Sequence, residues 1–278
     1  MPELPEVEST RRELAPAVTG RQIIAVEHAD PDRYQNTVWL VGRTVSGVDR
    51  RGKILIFRLD DAGLAPLDLV VHLKMTGAFR VPAGGRFEAP PRFERVRVKF
   101  TDDREVSFTD PRRFGRWWVR PRGEYAGIDA LPHLGPEPLG EAFDLAAFSA
   151  LVGGRRAVKA GLLSQVWVAG LGNIYVDEAL WRAGIHPLAS RLSNGQAARL
   201  HAAIRSVLSQ AVEAGGSTLR DARYTLPSGE PGGFAGRLMV YDRRNEPCLR
   251  CGSMIVKTRV AGRGTHWCPT CQPLDARG

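Results

Sequence analysis

Met1-Pro2-Glu3-Leu4-Pro5-Glu6 opens the chain. Methionine ahead of a small residue is commonly trimmed, which would leave Pro2 as a secondary amine at the end of the polypeptide. An α-amino group has a pKa of about 8, against about 10.4 for a lysine side chain. About a tenth of it is then uncharged at neutral pH. An uncharged amine is a nucleophile that can form an iminium at an aldehyde or a sugar C1′. Glu3 beside it is a candidate proton donor. Glu6 and Glu8 fall in the first turn of the following helix, where carboxylates suit the positive end of the dipole. The same residues also read as plain capping, since proline is common where a helix begins and Pro5 fits that place. A short amphipathic helix over 6–19, with Val7, Leu14 and Val18 as its apolar positions, would pin the terminus.

Beyond that helix the period changes. Residues 22–26, 53–57, 69–73, 96–100, 105–108 and 116–119 are β-type runs divided by turn signals such as Ala83-Gly84-Gly85 and Asp102-Asp103. Many short strands at this spacing predict a sandwich or barrel. Residues 131–141, rich in proline and glycine, read as a linker. Helical patterns follow: Asp144 as the cap of 145–152, then 156–167, then 174–183 ending at Gly184. Ser193-x-x-Gln196 is a capping box that opens a helix running to Gly215-Gly216. Residues 221–236 are loop-like.

The chain has 278 residues, 43% of them hydrophobic, which suits two modest domains with buried cores and a small appendage. No run of about eighteen apolar residues predicts a membrane span. The acidic, proline-bearing opening is unlike a secretory leader, so a cytoplasmic protein is expected. The formal charge is +9, which favours a polyanionic partner.

Four cysteines, the chain's whole complement, fall as Cys248-x-x-Cys251 and Cys268-x-x-Cys271 with sixteen residues between the pairs. Two such knuckles on facing turns bring four thiolates within reach of one structural Zn²⁺. Disulfides are the alternative, and a cytoplasmic chain disfavours them. Zinc thiolates would lower the net charge to roughly +7, still basic. The residues between the pairs read as a β-hairpin. Lys257, Arg259 and Arg263 make it basic and suit it to phosphates.

Three further stretches carry two readings each. In Asp110-Pro111-Arg112-Arg113-Phe114-Gly115, Phe114 could wedge into a base stack while Arg112 reaches an orphaned base; otherwise they are a solvated arginine pair over a packed ring. Met75, in His72-Leu73-Lys74-Met75-Thr76-Gly77, is either a similar probe or core. Gly170-Leu171-Gly172-Asn173 is either a phosphate site at a helix start or a tight turn. Lys53, after Arg50-Arg51-Gly52, is a cleft acid, a phosphate contact or surface charge.

Taken together these motifs resemble the bacterial formamidopyrimidine-DNA glycosylases, in the wider family that includes endonuclease VIII. The match runs through 1–8, Arg51-Gly52-Lys53, 72–77, 109–115, 134–139, Gly172-Asn173-Ile174-Tyr175, 183–187, 215–219 and the cysteine module, in order along the whole chain. The resemblance implies an α+β multidomain fold. An N-terminal catalytic β-sandwich with a flanking helix would span 1–130, with a linker at 131–141. A helical helix-two-turns-helix domain would span 142–236, with a base-capping loop near 221–236, and a β-hairpin zinc ribbon 237–273. DNA would lie across the cleft between the two main domains.

The resemblance also implies a monomeric bifunctional glycosylase and abasic-site lyase of base excision repair. Its substrate would be duplex DNA carrying 8-oxoguanine, formamidopyrimidines or abasic sites. Pro2 would attack C1′ of a flipped-out nucleotide and Glu3 would help open the sugar. Lys53 and Arg263 would serve the β- and δ-eliminations. Met75, Arg112 and Phe114 would fill the vacated gap. Asn173 and Arg263 would grip phosphates, and Arg155 matches a basic DNA contact. Two features depart from the family pattern: Lys74 stands at a common glycine, and Phe93 at a frequent histidine. An endonuclease VIII type acting on oxidised pyrimidines is one alternative. A non-catalytic damage binder, which a retained Met1 would favour, is another.

Overall fold

A computed structural model describes residues 1–61, 63–220 and 224–274. The chain divides into two compact units, Met1–Pro132 with Ala214–Ala235, and His133–Glu213 with Gly236–Gly278.

The first unit opens with α1 (Leu4–Val18). Its N-cap is Glu3, and the cap is reciprocal. The Glu3 side chain accepts the backbone N–H of Glu6, and the Glu6 carboxylate accepts the N–H of Glu3 at 2.8 Å. Val7, Leu14 and Val18 are buried, so the apolar side assigned from sequence is the side that packs.

Among the described residues nine strands follow: β1 (Ile23–His28), β2 (Tyr34–Gln35), β3 (Thr44–Arg51), β4 (Ile54–Asp60), β5 (Leu67–His72), β6 (Ala78–Arg80), β7 (Glu94–Phe100), β8 (Glu105–Thr109) and β9 (Arg116–Pro121). They form a four-stranded sheet, β1-β7-β8-β6, and a five-stranded sheet, β2-β9-β5-β4-β3. One core joins α1 to residues of both sheets, among them Leu55, Phe57, Val71, Phe79, Val98, Phe108 and Trp117. This is the expected sandwich. The apolar run in β4 has a simple cause: Leu55 and Phe57 face that core, while Ile54 and Ile56 pack with Val70 and Ile128 on the opposite face.

The segment 214–235 was expected in the helical domain, but it packs with the sandwich unit. The N–H of Ser217 donates to Glu6 Oε1 at 2.8 Å, and the Tyr224 hydroxyl donates to the Glu6 carbonyl at 3.2 Å. Val81 N–H donates to the Pro227 carbonyl, and the N–H of Ser228 donates to the Glu13 carboxylate at 2.9 Å. Of the proposed capping loop, residues 221–223 lie outside the described residues.

The second unit contains α2 (Leu145–Val152), α3 (Val158–Leu163), α4 (Asn173–Ala183) and α5 (Asn194–Glu213), then the hairpin β10 (Val256–Val260) and β11 (Arg263–Trp267). Asp144 caps α2 by accepting from Ala147 N–H at 2.9 Å, and Ser193 and Gln196 exchange the bonds of the predicted box. Helix α3 is shorter than the predicted 156–167. The Trp167 ring folds back onto Gly161 so closely that a Cβ there would fall 2.1 Å from it, and Gln165 turns the chain at φ +66°.

Helix α4 is the post on which the hairpin module hangs. Asn173 Nδ2 donates to the Gly264 carbonyl at 2.8 Å, and Asp177 Oδ2 accepts from His266 N–H at 2.8 Å. Glu178 accepts three successive backbone N–H groups, those of Met239, Val240 and Tyr241. Burial raises the Glu178 pKa, and those three donors work against the rise. Lys159 Nζ meets Asp177 Oδ1 at 2.6 Å with both side chains fully buried. No described helix is long and apolar enough to cross a membrane.

Candidate active site and metal centre

Strand register gathers the first set of residues. Ile54 pairs with His72 across β4 and β5, and His72 pairs with Arg116 across β5 and β9. Lys53 therefore precedes one member of this row, Lys74 and Met75 follow the second, and Phe114 and Gly115 precede the third. All sit at one end of the five-stranded sheet.

Helix α1 brings its own end to the same place. Arg11 donates to the Val48 carbonyl at 3.3 Å, and Arg50 Nε meets Glu8 at 3.1 Å. Going back along the helix from 11 to 8 thus goes forward along β3 from 48 to 50. Pro2 and Glu3, about 8 Å further up the helix at 1.5 Å per residue, run toward Gly52 and Lys53. Pro2 is buried, Glu3 is 3% exposed and Lys53 is 8% exposed. A buried carboxyl and a buried ammonium at the sheet end toward which the start of α1 runs is a rare grouping, because each normally seeks water.

Glu8, which lines the flank of α1, is held in its charged form. Burial alone would raise its pKa, but hydrogen bonds and charge from Arg11, with Arg50, bring it down to about 2. His72 sits in the row itself. Burial, then the positive charges of Lys74 and Lys53, push its imidazole down to about 3. Its Nδ1 accepts the N–H of Lys74 at 2.9 Å, so the neutral ring carries its proton on Nε2 and presents a donor. His72 stands within a sequence motif that implied no role for it. A lone histidine closing a strand carries no local signal; the two flanking lysines, one brought by strand pairing, make it notable.

Two turns carry the gap-filling candidates, and one buried carboxylate ties them together. Asp110 Oδ1 accepts from the Thr76 hydroxyl and from Arg112 N–H, and Oδ2 accepts from Gly115 N–H at 2.7 Å. Both turns also close on the Phe108 ring. A Cβ at Gly77 or at Gly115 would lie 2.6 Å from it, so neither position has room for a side chain. The Arg112 guanidinium lies over the Phe114 ring, 4.7 Å from its centre, and both side chains are exposed. They stand in solvent as one stacked unit, and Met75 is half-buried on the neighbouring turn.

The other candidates belong to the second unit. Asn173 opens α4, and its bond to Gly264 sets it one residue from Arg263 at the start of β11. Its Oδ1 is buried with no partner among the described residues. Arg155 is exposed between α2 and α3.

The cysteines form the metal centre. All four Sγ atoms lie within 4.8 Å of one another, with Cys251–Cys268 at 3.4 Å and Cys248–Cys271 at 3.9 Å. Zn–S bonds of about 2.3 Å make tetrahedral S···S edges of about 3.8 Å. The residues therefore fit zinc, and no cysteine is in a disulfide. Trp181 Nε1 donates to Cys248 Sγ at 3.4 Å, and the N–H groups of Arg250 and Cys271 point at sulfurs. Such donors suit thiolates. The Arg250 guanidinium covers the Trp181 ring at 4.1 Å and closes the outer side.

Comparison with known proteins gives three matches in chain order. Residues 1–117 match the formamidopyrimidine-DNA glycosylase N-terminal domain, 134–223 the formamidopyrimidine-DNA glycosylase H2TH domain, and 245–274 the zinc finger found in FPG and IleRS. The formamidopyrimidine-DNA glycosylase of Thermus thermophilus is 49% identical over 275 residues, 98% of each chain. That of Deinococcus radiodurans is 45% identical over 281 residues, 99% of this chain and 98% of the relative. Among solved structures, the MutM (Fpg) protein of Thermus thermophilus superposes with a TM-score of 0.89 at 48% identity, covering 98% of both chains. A complex of Lactococcus lactis Fpg with abasic-site DNA superposes at 0.87 and 37%, covering 98% of this chain and 100% of that one.

Proposed function

The chain belongs to the formamidopyrimidine-DNA glycosylase family of DNA-repair enzymes, and on that footing we propose that it is a bifunctional glycosylase and abasic-site lyase for oxidised purines in duplex DNA. The observation that carries the reading is the convergence of the Pro2–Glu3 end of α1 with Lys53 and His72 at one end of the sheet.

Removal of Met1 turns the Pro2 nitrogen from an amide without a basic lone pair into a secondary amine. That amine attacks C1′ of an extruded nucleotide, the oxidised base departs with the electron pair of the glycosidic bond, and the base takes up the proton that the proline nitrogen releases. Glu3, held beside residue 2 by the reciprocal cap, delivers a proton to the ring oxygen as the sugar opens to an iminium. The iminium makes the C2′ proton acidic. Its loss breaks the C3′–O bond, and a second elimination breaks the C5′–O bond, so the strand is cut on both sides of the sugar. Hydrolysis of the imine frees Pro2.

Lys53 holds the phosphate that leaves first, and Arg263 the one that leaves second. Asn173 and Arg263 grip the damaged strand. Met75 and the Arg112–Phe114 stack occupy the gap left by the extruded nucleotide. Arg155 supplies a further backbone contact. The loop over 221–236 covers the extruded base. Zinc, when bound by Cys248, Cys251, Cys268 and Cys271, is structural; it fixes the turns that present Arg263 and takes no part in bond breaking. The substrate is chromosomal DNA in a bacterial cytoplasm, bound by a monomer.

The test is cleavage of a panel of lesion-bearing duplexes by intact protein and by Pro2→Gly. Intact protein is expected to cut 8-oxoguanine and formamidopyrimidine duplexes in preference to oxidised pyrimidines. Pro2→Gly, which exchanges the secondary amine for a primary one, should be slower at every lesion. Equal rates for the two proteins would contradict the assignment of Pro2.

A further inference from the structure

Lys74 departs from what its position asks for. It lies in the turn Leu73–Gly77, closed by a bond from Gly77 N–H to the Leu73 carbonyl at 3.0 Å. Its φ is +55°, in the left-handed region where glycine is at ease and a residue carrying a Cβ is not. The turn enforces that angle, since the Lys74 N–H must reach His72 Nδ1 and Thr76 must reach Asp110.

Its surroundings are equally unfavourable. The side chain is half-buried, and the charged groups facing it are cations: Arg116 lowers its pKa, after burial, and Lys53 and Lys74 both act on His72. Among the described residues neither the Lys74 ammonium nor the Arg116 guanidinium is paired with a carboxylate; Arg116 donates only to the Asp32 carbonyl. A strained backbone and a crowded positive charge are retained together, and an arriving anion would offset the second of these directly.

We infer that Lys74 is a DNA-backbone ligand of this enzyme, holding a phosphodiester beside Met75 and so fixing the register at which Met75 enters the duplex. The inference rests on the reading of the protein as a DNA glycosylase, which supplies the anion. Its place in the turn makes it a positioning residue for the Met75 probe. An ammonium acts here as a point charge on a flexible stem and needs no particular base, so its effect extends to undamaged DNA.

The experiment compares the full chain with Lys74→Gly, Lys74→Asn and Lys74→Arg. Glycine and asparagine both tolerate the left-handed turn, so the fold is kept while the charge is lost. Thermal unfolding of Lys74→Gly should occur at or above the wild-type temperature. Binding to an undamaged duplex should weaken severalfold in the Gly and Asn variants, with the log–log salt slope reduced by about 0.9. Lys74→Arg should keep the slope. A competition series with inorganic phosphate at constant ionic strength separates a duplex contact from a free-anion site. With the duplex at equal initial saturation, equal displacement from wild type and from Lys74→Gly is expected.

Unchanged affinity and slope in Lys74→Gly, a lower unfolding temperature, or phosphate displacement that depends on Lys74 would each overturn the inference. Lesion cleavage by wild type is measured alongside. Cleavage with an unchanged slope in the variants sinks the Lys74 assignment alone, whereas absence of cleavage by wild type sinks the glycosylase reading.

Discussion

Glu6 and Ser217 stand 211 positions apart in sequence, yet the Ser217 N–H donates to Glu6 Oε1 at 2.8 Å inside the sandwich unit. The other oxygen of the same carboxylate accepts from the N–H of Glu3. One side chain, 2% exposed, thus ties the residue beside the proposed nucleophile to the segment that leads into the proposed capping loop. Gly216 permits the approach: its φ is +81°, and a Cβ there would lie 3.0 Å from Glu6 Oε1.

Glu6→Gln is predicted to lose one of these two bonds, because an amide has one acceptor atom where the carboxylate has two. A buried N–H left without an acceptor costs about 1–3 kcal/mol. Equilibrium urea unfolding should show that loss, and lesion cleavage should fall further than DNA binding. A variant of wild-type stability would show that the bridge carries no weight.

The Glu8 cluster predicts an acid limb. The native pKa is about 2, below the ordinary glutamate value of about 4.5. Stability from this group is therefore fully present above about pH 4.5 and is lost as pH falls toward 2. Glu8→Gln should reduce stability at pH 7 by roughly 2 kcal/mol and flatten the pH dependence across that window. His72 acts in the same direction over a different window: neutral in the native state down to about pH 3, it opposes folding progressively as pH drops below about 6.5. Unfolding curves from pH 2.5 to 7 check both signs.

The zinc centre should hold one ion per chain, measured by elemental analysis. Trp181→Phe removes the Nε1–H donor to Cys248 and is expected to weaken zinc affinity by about tenfold in a chelator competition. Stripping zinc should abolish strand cleavage. Metal-free protein that still cuts at the full rate would demote the module.

Phe114→Ala removes the ring on which Arg112 rests. Excision of a base paired in a duplex is predicted to fall by about tenfold, the equivalent of roughly 1.4 kcal/mol. Cleavage at an abasic site in single-stranded DNA, where nothing must be extruded, should change little. An equal fall on both substrates would contradict a gap-filling role.

Much of this was readable in the chain itself. β-type runs, alternating or continuously apolar, marked six of the nine strands among the described residues, because each of those buries one or two faces. Strand β3 escaped notice: Gly47, Asp49, Arg50 and Arg51 have no strand signature, and pairing with β4 makes it a strand. The cysteine spacing, the cap at Asp144 and the capping box at Ser193 are local and were fully legible. What was not legible is non-local. Segment 214–235 joins the sandwich unit through bonds to Glu6, Glu13 and Val81. The ribbon hangs from Asp177 and Glu178, which in sequence look like ordinary helix surface. The partners of His72 come from a neighbouring strand and a turn.

Trapping on DNA tests the central claim most directly. Protein shown by mass to begin at Pro2 is mixed with an 8-oxoguanine duplex and borohydride, and the covalent adduct is digested and sequenced by mass spectrometry. The account predicts a stable cross-link whose sugar remnant sits on the Pro2 nitrogen. Absence of any cross-link from this protein, or an adduct on a lysine side chain instead, would contradict it.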